Sequence, residues 1–163
     1  MDSAPPRDVS AARRRKRLTN RVRGELRDLN SQLALLNHRI GSRLDLRVTD
    51  LECLGLISRS GPMGPTALAR HTGLHPATLT GVLDRLERGG WVVRTPNPSD
   101  RRAILVQVIE EKEAEVACLF SGFDQAMDAL CSDYGDADLL MIAEFLHRSA
   151  RAGRKATDQL AKP

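Results

Sequence analysis

The sequence predicts a mainly α fold with one small β-hairpin, a winged helix–turn–helix flanked by N- and C-terminal dimerisation helices. Three observations predict it. First, Ala69-Arg70-His71-Thr72-Gly73-Leu74 places a small residue where two helices approach, and four residues later a glycine that can reverse the chain. Second, Leu79, Val82, Leu83 and Leu86 fall at i, i+3, i+4 and i+7, the stripe of a helix from Pro76 to Arg88 that stops at Gly89-Gly90. Third, Trp91-Val92-Val93 and Ile104-Leu105-Val106-Gln107-Val108 flank Pro96-Asn97-Pro98-Ser99-Asp100-Arg101-Arg102, a hairpin with a polar, basic loop. Helix, turn, helix and wing is an arrangement used to read duplex DNA.

The elements follow in order. Residues 1–17 contain Pro5-Pro6 and the run Arg13-Arg14-Arg15-Lys16-Arg17, and read as a disordered basic arm. Residues 18–47 form the N-terminal dimerisation helix. Its apolar positions Leu18, Val22, Leu26, Leu29, Leu33, Leu36, Ile40 and Leu44 step mainly by four and three, a heptad seam, and Gly41 and the Arg47-Val48 region end it. Residues 48–109 are the winged helix. Thr49 reads as an N-cap with Glu52 three residues on, a capping box opening a helix from Asp50 to Ser58. Gly61-Pro62 stops that helix, and Pro65 opens the next at a first-turn position. Residues 110–163 hold the C-terminal helices. Val116, Leu119, Phe120, Phe123, Met127 and Leu130 mark one from about Glu111 to Cys131. Leu139, Ile142, Ala143, Leu146 and Ala150 mark another, running to about Leu160.

A winged helix of ~60–70 residues covers its own core, so these flanking stripes need a further partner. The dimer seam is therefore assigned to Val22, Leu26, Leu29, Leu33, Leu36 and Ile40, with Leu139, Ile142 and Leu146.

Charge is unevenly spread around a net +4. Residues 1–24 carry +6, residues 62–109 carry +3, and residues 110–147 carry −9. Phosphate would repel the acidic stretch, which should face away from a duplex. No apolar run approaches the ~20 residues that span a bilayer. The basic N-terminus has no apolar core behind it, so no secretory signal is read there. Cys53, Cys118 and Cys131 are odd in number and lack metal-like spacing, which fits a reducing cytoplasm. All three read as packing residues. His71 and His75 straddle Gly73 and are not a metal pair on one helix, so no metal and no cofactor are expected.

With Leu79, Val82, Leu83 and Leu86 inward, Ala77, Thr80, Gly81, Asp84 and Arg88 face out, and Thr78 and Arg85 lie on one flank. The small residues Ala77, Thr80 and Gly81 let the backbone approach base edges. Thr78 and Thr80 can donate, accept or touch a thymine methyl. Arg85 either binds phosphate or pairs with an acid on a neighbouring element. His75 takes the N-cap position before Pro76, with Leu74 and Leu79 as a hydrophobic staple. The candidate DNA-binding residues on this helix are His75, Pro76, Ala77, Thr78, Thr80, Gly81 and Arg85.

Leu68-Ala69, Gly73-Leu74, Thr80, Leu83-Asp84-Arg85-Leu86-Glu87, Gly89-Gly90-Trp91-Val92 and above all Asp100-Arg101-Arg102-Ala103 resemble the MarR (multiple-antibiotic-resistance regulator) family of bacterial transcription factors, most strongly over residues 48–108. In that family a Thr caps the helix after the wing. Here the run is Val108-Ile109-Glu110-Glu111-Lys112 and the cap is lost. The resemblance implies a homodimer built from N- and C-terminal helices of two subunits. It implies that Asp100 braces Arg102 at the wing tip, and that one of Arg101 and Arg102 enters the minor groove of double-stranded DNA. It also implies relief of DNA binding by a small phenolic or lipophilic acid.

The expected function is a ligand-responsive repressor that binds a pseudo-palindromic operator as a dimer, in the cytoplasm. The other reading weighed is a winged-helix protein–protein interaction module, which does not require arginines on the wing. An enzyme is not expected, for the chain lacks G-x-G-x-x-G, P-loop, G-x-S-x-G and H-E-x-x-H motifs.

Overall fold

The computed structural model describes residues 7–160. The element order is α1 (Arg7–Leu44), α2 (Val48–Ser60), α3 (Pro65–Thr72), α4 (Pro76–Arg88), β1 (Val92–Asn97), β2 (Asp100–Val108), α5 (Glu110–Cys131) and α6 (Asp136–Leu160). The mainly helical class with one antiparallel hairpin is as the sequence predicts. Two compact units divide the chain, one up to Val116 and one from Ala117.

In the first unit α2, α3, α4 and the hairpin enclose one core. Cys53, Leu54 and Ile57 from α2 and Leu68 from α3 meet Leu79, Val82, Leu83 and Leu86 of α4, with Trp91, Val92 and Val106 closing it. All four expected α4 residues are buried, and each such side chain contributes ~1.5–3 kcal/mol by leaving water. The turn before α4 works as its residues require. Gly73 adopts φ 70°, and its N–H caps Ala69 at 2.9 Å. A residue with Cβ would be strained there. The sheet gains a third rung where Met63 and Val106 exchange hydrogen bonds of 3.1 and 2.9 Å.

Three local expectations are corrected. Helix α1 begins at Arg7, not Leu18, so residues 7–17 of the expected arm are helical, while residues 1–6 lie outside the described residues. Gly41 does not end α1. It lies where the chain doubles back, and a Cβ there would meet the Leu46 carbonyl oxygen at 2.7 Å; Asp45, at φ 53°, makes the break. The capping box at Thr49 is not formed. Arg47 is the N-cap of α2 and offers no side-chain bond, because the helix starts one residue before the expected cap. In keeping with the lost cap, α5 starts at Glu110, after Ile109, which has no capping side chain. Three first-turn acids, Glu110, Glu111 and Glu113, complement the exposed N–H groups and the helix dipole instead.

The first turns of α5 are tied to the winged helix. Ser58 hydrogen-bonds Glu113. Lys112 Nζ lies 4.6 Å from the Trp91 ring centroid, a cation–π distance, and 2.6 Å from Glu115 Oε2.

Packing within one chain leaves long apolar faces uncovered. On α1, Leu18, Val22, Leu26 and Leu29 are exposed, whereas Ile40 is only 4% exposed. Ile40 therefore belongs to the packing of the single chain and leaves the expected seam. The second unit comprises the rest of α5, the turn after Cys131, and α6. Neither α5 nor α6 contains a buried residue, and Leu140, Met141, Phe145 and Leu146 are exposed. Cys118 is also exposed, so only Cys53 of the three cysteines is buried as expected; Cys131 is intermediate.

Candidate nucleic-acid interface

The N-terminal half of α4 is its open face. His75, Pro76, Ala77, Thr78 and Thr80 are exposed and Gly81 is half-buried. His75 is the N-cap, and its Nδ1 accepts from the Ala77 N–H at 3.3 Å, which orients the ring at the helix start. Thr80 Oγ1 donates to the Pro76 carbonyl at 3.0 Å. That bond uses the hydroxyl proton and leaves the oxygen lone pairs and the methyl facing out. Six expected residues thus stand on the first turns of α4, and none of them is Asp, Glu, Lys or Arg.

The charged residues further along α4 are held by the protein itself. Arg85 donates from Nε to Asp50 Oδ2 at 3.2 Å and from Nη2 to Asp50 Oδ1 at 2.6 Å. This hydrogen bonding raises the Arg85 pKa above its ordinary value. Of its two expected roles, Arg85 therefore takes the acid pair, and it leaves the group facing DNA. Asp50 lies in phase with Leu54 and Ile57 and is the one buried acid among the described residues. A carboxylate on a core-facing stripe demands a cation, so its position was the available signal, although sequence reasoning took it only as a helix start.

Arg94 is a second residue that sequence reasoning missed. It leaves β1 to pair with Asp84 at 2.6 Å and Glu87 at 3.0 Å. Both acids project from the α4 surface, and Arg94 neutralises them where a polyanion would otherwise be repelled. Two acids spaced i, i+3 on the outward side of the helix were the signal for a nearby cation. Arg88 bonds back to the Asp84 carbonyl at 3.1 Å.

The wing is longer and its turn tighter than the sequence suggests. Its strands extend to Asn97 and Asp100, leaving Pro98-Ser99 as the turn. The ladder breaks between Pro96, paired with Ile104, and Asn97, paired with Asp100. Residues 101–103 are displaced into a bulge there, opposite a proline that has no N–H to give the ladder. Two acceptors shape the tip. Asn97 Oδ1 accepts from the Ser99 N–H at 2.9 Å, and Asp100 Oδ1 accepts from the Arg102 N–H at 3.0 Å. The brace expected between Asp100 and Arg102 thus runs through the backbone of Arg102, and its exposed side chain is left to project. The Arg101 side chain lies outside the described residues.

Beside Arg85 opens a cleft of about 970 Å³, lined in part by Arg43, Arg47, Arg88, Trp91 and Lys112. Burial pushes the Cys53 thiol up to about 11, reinforced by the Asp50 and Glu52 charges and opposed by Arg85. Among the described residues no group of three His, Cys, Asp or Glu side chains is placed to hold a metal ion, and no helix is long and apolar enough to cross a membrane.

Comparison with known proteins adds to this geometry. The family model described as MarR family matches residues 46–104. The chain is 29% identical over 124 residues to the uncharacterized HTH-type transcriptional regulator YcgE of Bacillus subtilis, covering 76% of this chain and 80% of that protein. It is 36% identical over 80 residues to the multiple antibiotic resistance protein MarR of Salmonella typhimurium, covering 49% of this chain and 55% of that one. The crystal structure of NadR in complex with 4-hydroxyphenylacetate shares the fold with a TM-score of 0.62 and 22% identity, over 79% of this chain and 92% of that one. Over the matched segment, with its helix–turn–helix and its wing, the chain is similar to transcriptional regulators of the MarR family.

Proposed function

We propose that the protein is a homodimeric, ligand-responsive repressor acting in the cytoplasm, which reads a pseudo-palindromic operator with α4 and steadies itself with the wing. The uncharged open face of α4 from His75 to Gly81 carries this reading, because small and hydroxyl side chains there admit base edges while Arg94 holds the nearby acids. Thr78 and Thr80 meet bases in the major groove. Arg102, and Arg101 beside it in the chain, supply wing contacts to a narrow minor groove, whose potential attracts arginine.

The dimer is formed by the faces that one chain leaves open, Val22, Leu26, Leu29, Leu33 and Leu36 of α1 with Leu139, Ile142 and Leu146 of α6. An aromatic or lipophilic acid is the proposed effector, supported by the phenolic acid bound by NadR and by the cleft beside Trp91 with Arg43 and Arg47 on its wall. Sedimentation of the purified chain tests the assembly. A dimer at micromolar concentration that Leu26→Glu with Leu29→Glu converts to a folded monomer supports it. A wild-type monomer contradicts it.

A further inference from the structure

We propose that the basic side of α1 is a second, sequence-independent contact to the phosphates of duplex DNA. The inference rests on the reading of the chain as a DNA-binding regulator. It starts from the finding that residues 7–17 continue the helix that carries the leucine seam. At 100° per residue, Arg13, Lys16, Arg17, Arg23 and Arg27 all fall in the half of α1 turned away from Leu18, Val22, Leu26 and Leu29. Arg14 and Arg21 lie on the flank, and Arg15 is on the apolar side.

Little in the described residues offsets this charge. Ser10 to Arg23 are all exposed, and the ion pair α1 makes among the described residues is Arg21 with Glu25, at 3.6 Å. Asp28 shares the basic half, but it follows the stripe at its C-terminal end. Like charges at i, i+3 and i, i+4, such as Arg13 with Lys16 and Arg17, destabilise an isolated helix. Cations near a helix N-terminus also oppose the dipole. A polyanion along the stripe reverses both effects.

Duplex DNA is the occupant these features favour. A membrane-surface helix would place its apolar face in lipid and anchor it with aromatic residues. Helix α1 has no aromatic residue, and its apolar face is the seam proposed for the dimer. Cations at Arg13, Lys16, Arg17, Arg23 and Arg27 run along one side of the helix and can follow a row of phosphates, the polymer already assigned to α4 and the wing under the proposed function. The stripe lies roughly 20–40 Å along the axis from Ile40, the buried position of α1, so phosphates it meets are distinct from any that Ile40's end of the helix could reach.

The test compares the wild-type full chain with Arg13→Gln/Lys16→Gln/Arg17→Gln. Glutamine keeps a helix propensity close to that of Arg and Lys, and circular dichroism checks that the helix remains. The probe is a duplex of about 40 base pairs carrying a site selected from random DNA. Each phosphate that is no longer neutralised lowers the slope of log affinity against log salt by about 0.9. Three residues in each of two protomers should therefore lower it by roughly two to five units, with base preference unchanged. An unchanged slope overturns the proposal. So does a loss seen only on phosphatidylserine vesicles, which assigns the stripe to a membrane, or only in dimer stability, which assigns it to a second copy. If the wild-type chain shows no salt-dependent duplex binding at all, the regulator reading itself fails. If the wild type binds and the variant binds identically, only this inference does.

Discussion

Arg85 on α4 and Asp50 on α2 form a two-bond ion pair, with the carboxylate side chain 4% exposed and the guanidinium 30% exposed. The pair ties α4 to α2. Removing the cation strands a buried carboxylate, whereas removing both partners does not. Arg85→Ala should therefore cost about 2–3 kcal/mol, below the roughly 3–5 kcal/mol of a fully buried pair because Arg85 is partly solvated. Asp50→Leu with Arg85→Met should recover most of that loss. Denaturant unfolding measures both, and a double variant as unstable as Arg85→Ala would refute this role for the pair.

Arg94 should matter to DNA binding without touching DNA. Arg94→Ala leaves Asp84 and Glu87 unpaired on the α4 surface. Both are well solvated, so stability should change by less than about 1 kcal/mol, while affinity for duplex DNA falls. Adding Glu87→Gln should restore part of the affinity. A direct contact by Arg94 would leave the double variant as weak as the single one.

At the wing, charge and order can be separated. Arg102→Ala removes a cation but keeps the backbone N–H that Asp100 holds. It should weaken all sequences alike and lower the salt slope by about one unit per wing. Asp100→Ala should instead speed hydrogen exchange at the Arg102 amide, although it removes a negative charge that would repel phosphate. Equal exchange in wild type and Asp100→Ala would show that the brace is not formed in solution.

Cys53 supplies a pH signature. Its folded pKa, about 11, lies above the ordinary thiol value of 9.0, so the folded state holds this proton more tightly than the unfolded state. The stabilisation is fully present below pH 9 and is lost as pH rises towards 11. Wild type should lose up to roughly 2 kcal/mol more than Cys53→Ala across that window. Parallel stability curves for the two proteins would contradict the burial assigned to this thiol. In alkylation, exposed Cys118 should be labelled before Cys53.

The core of α4 was legible because a single stripe, Leu79, Val82, Leu83 and Leu86, satisfies helical spacing and burial at once. Gly73 was legible for a similar reason, since a reversal between two helices needs its conformation. What escaped the sequence was pairing between distant residues. Asp50 and Arg85 are separated by 35 positions, and Arg94 reaches back ten positions to Asp84. Local pattern carries no information about such partners beyond the bare need for one. The basic run after Pro5-Pro6 looked unstructured because repulsion and poor packing disfavour an isolated helix, yet α1 extends through it from Arg7. Ile40 continued the heptad seam in sequence, but it is buried within a single chain.

Selection of sites from random duplex DNA with the full-length chain, followed by sequencing, tests the central claim most directly. The expected product is a pair of inverted half-sites with centres about one helical turn apart, ~10 base pairs. Thr80→Ala should change the preferred bases within each half-site at a cost of about 1–3 kcal/mol, while Arg102→Ala leaves the major-groove preference in place. Enrichment of a single unpaired site, or a base preference that follows Arg102 and ignores Thr80, would contradict the claim.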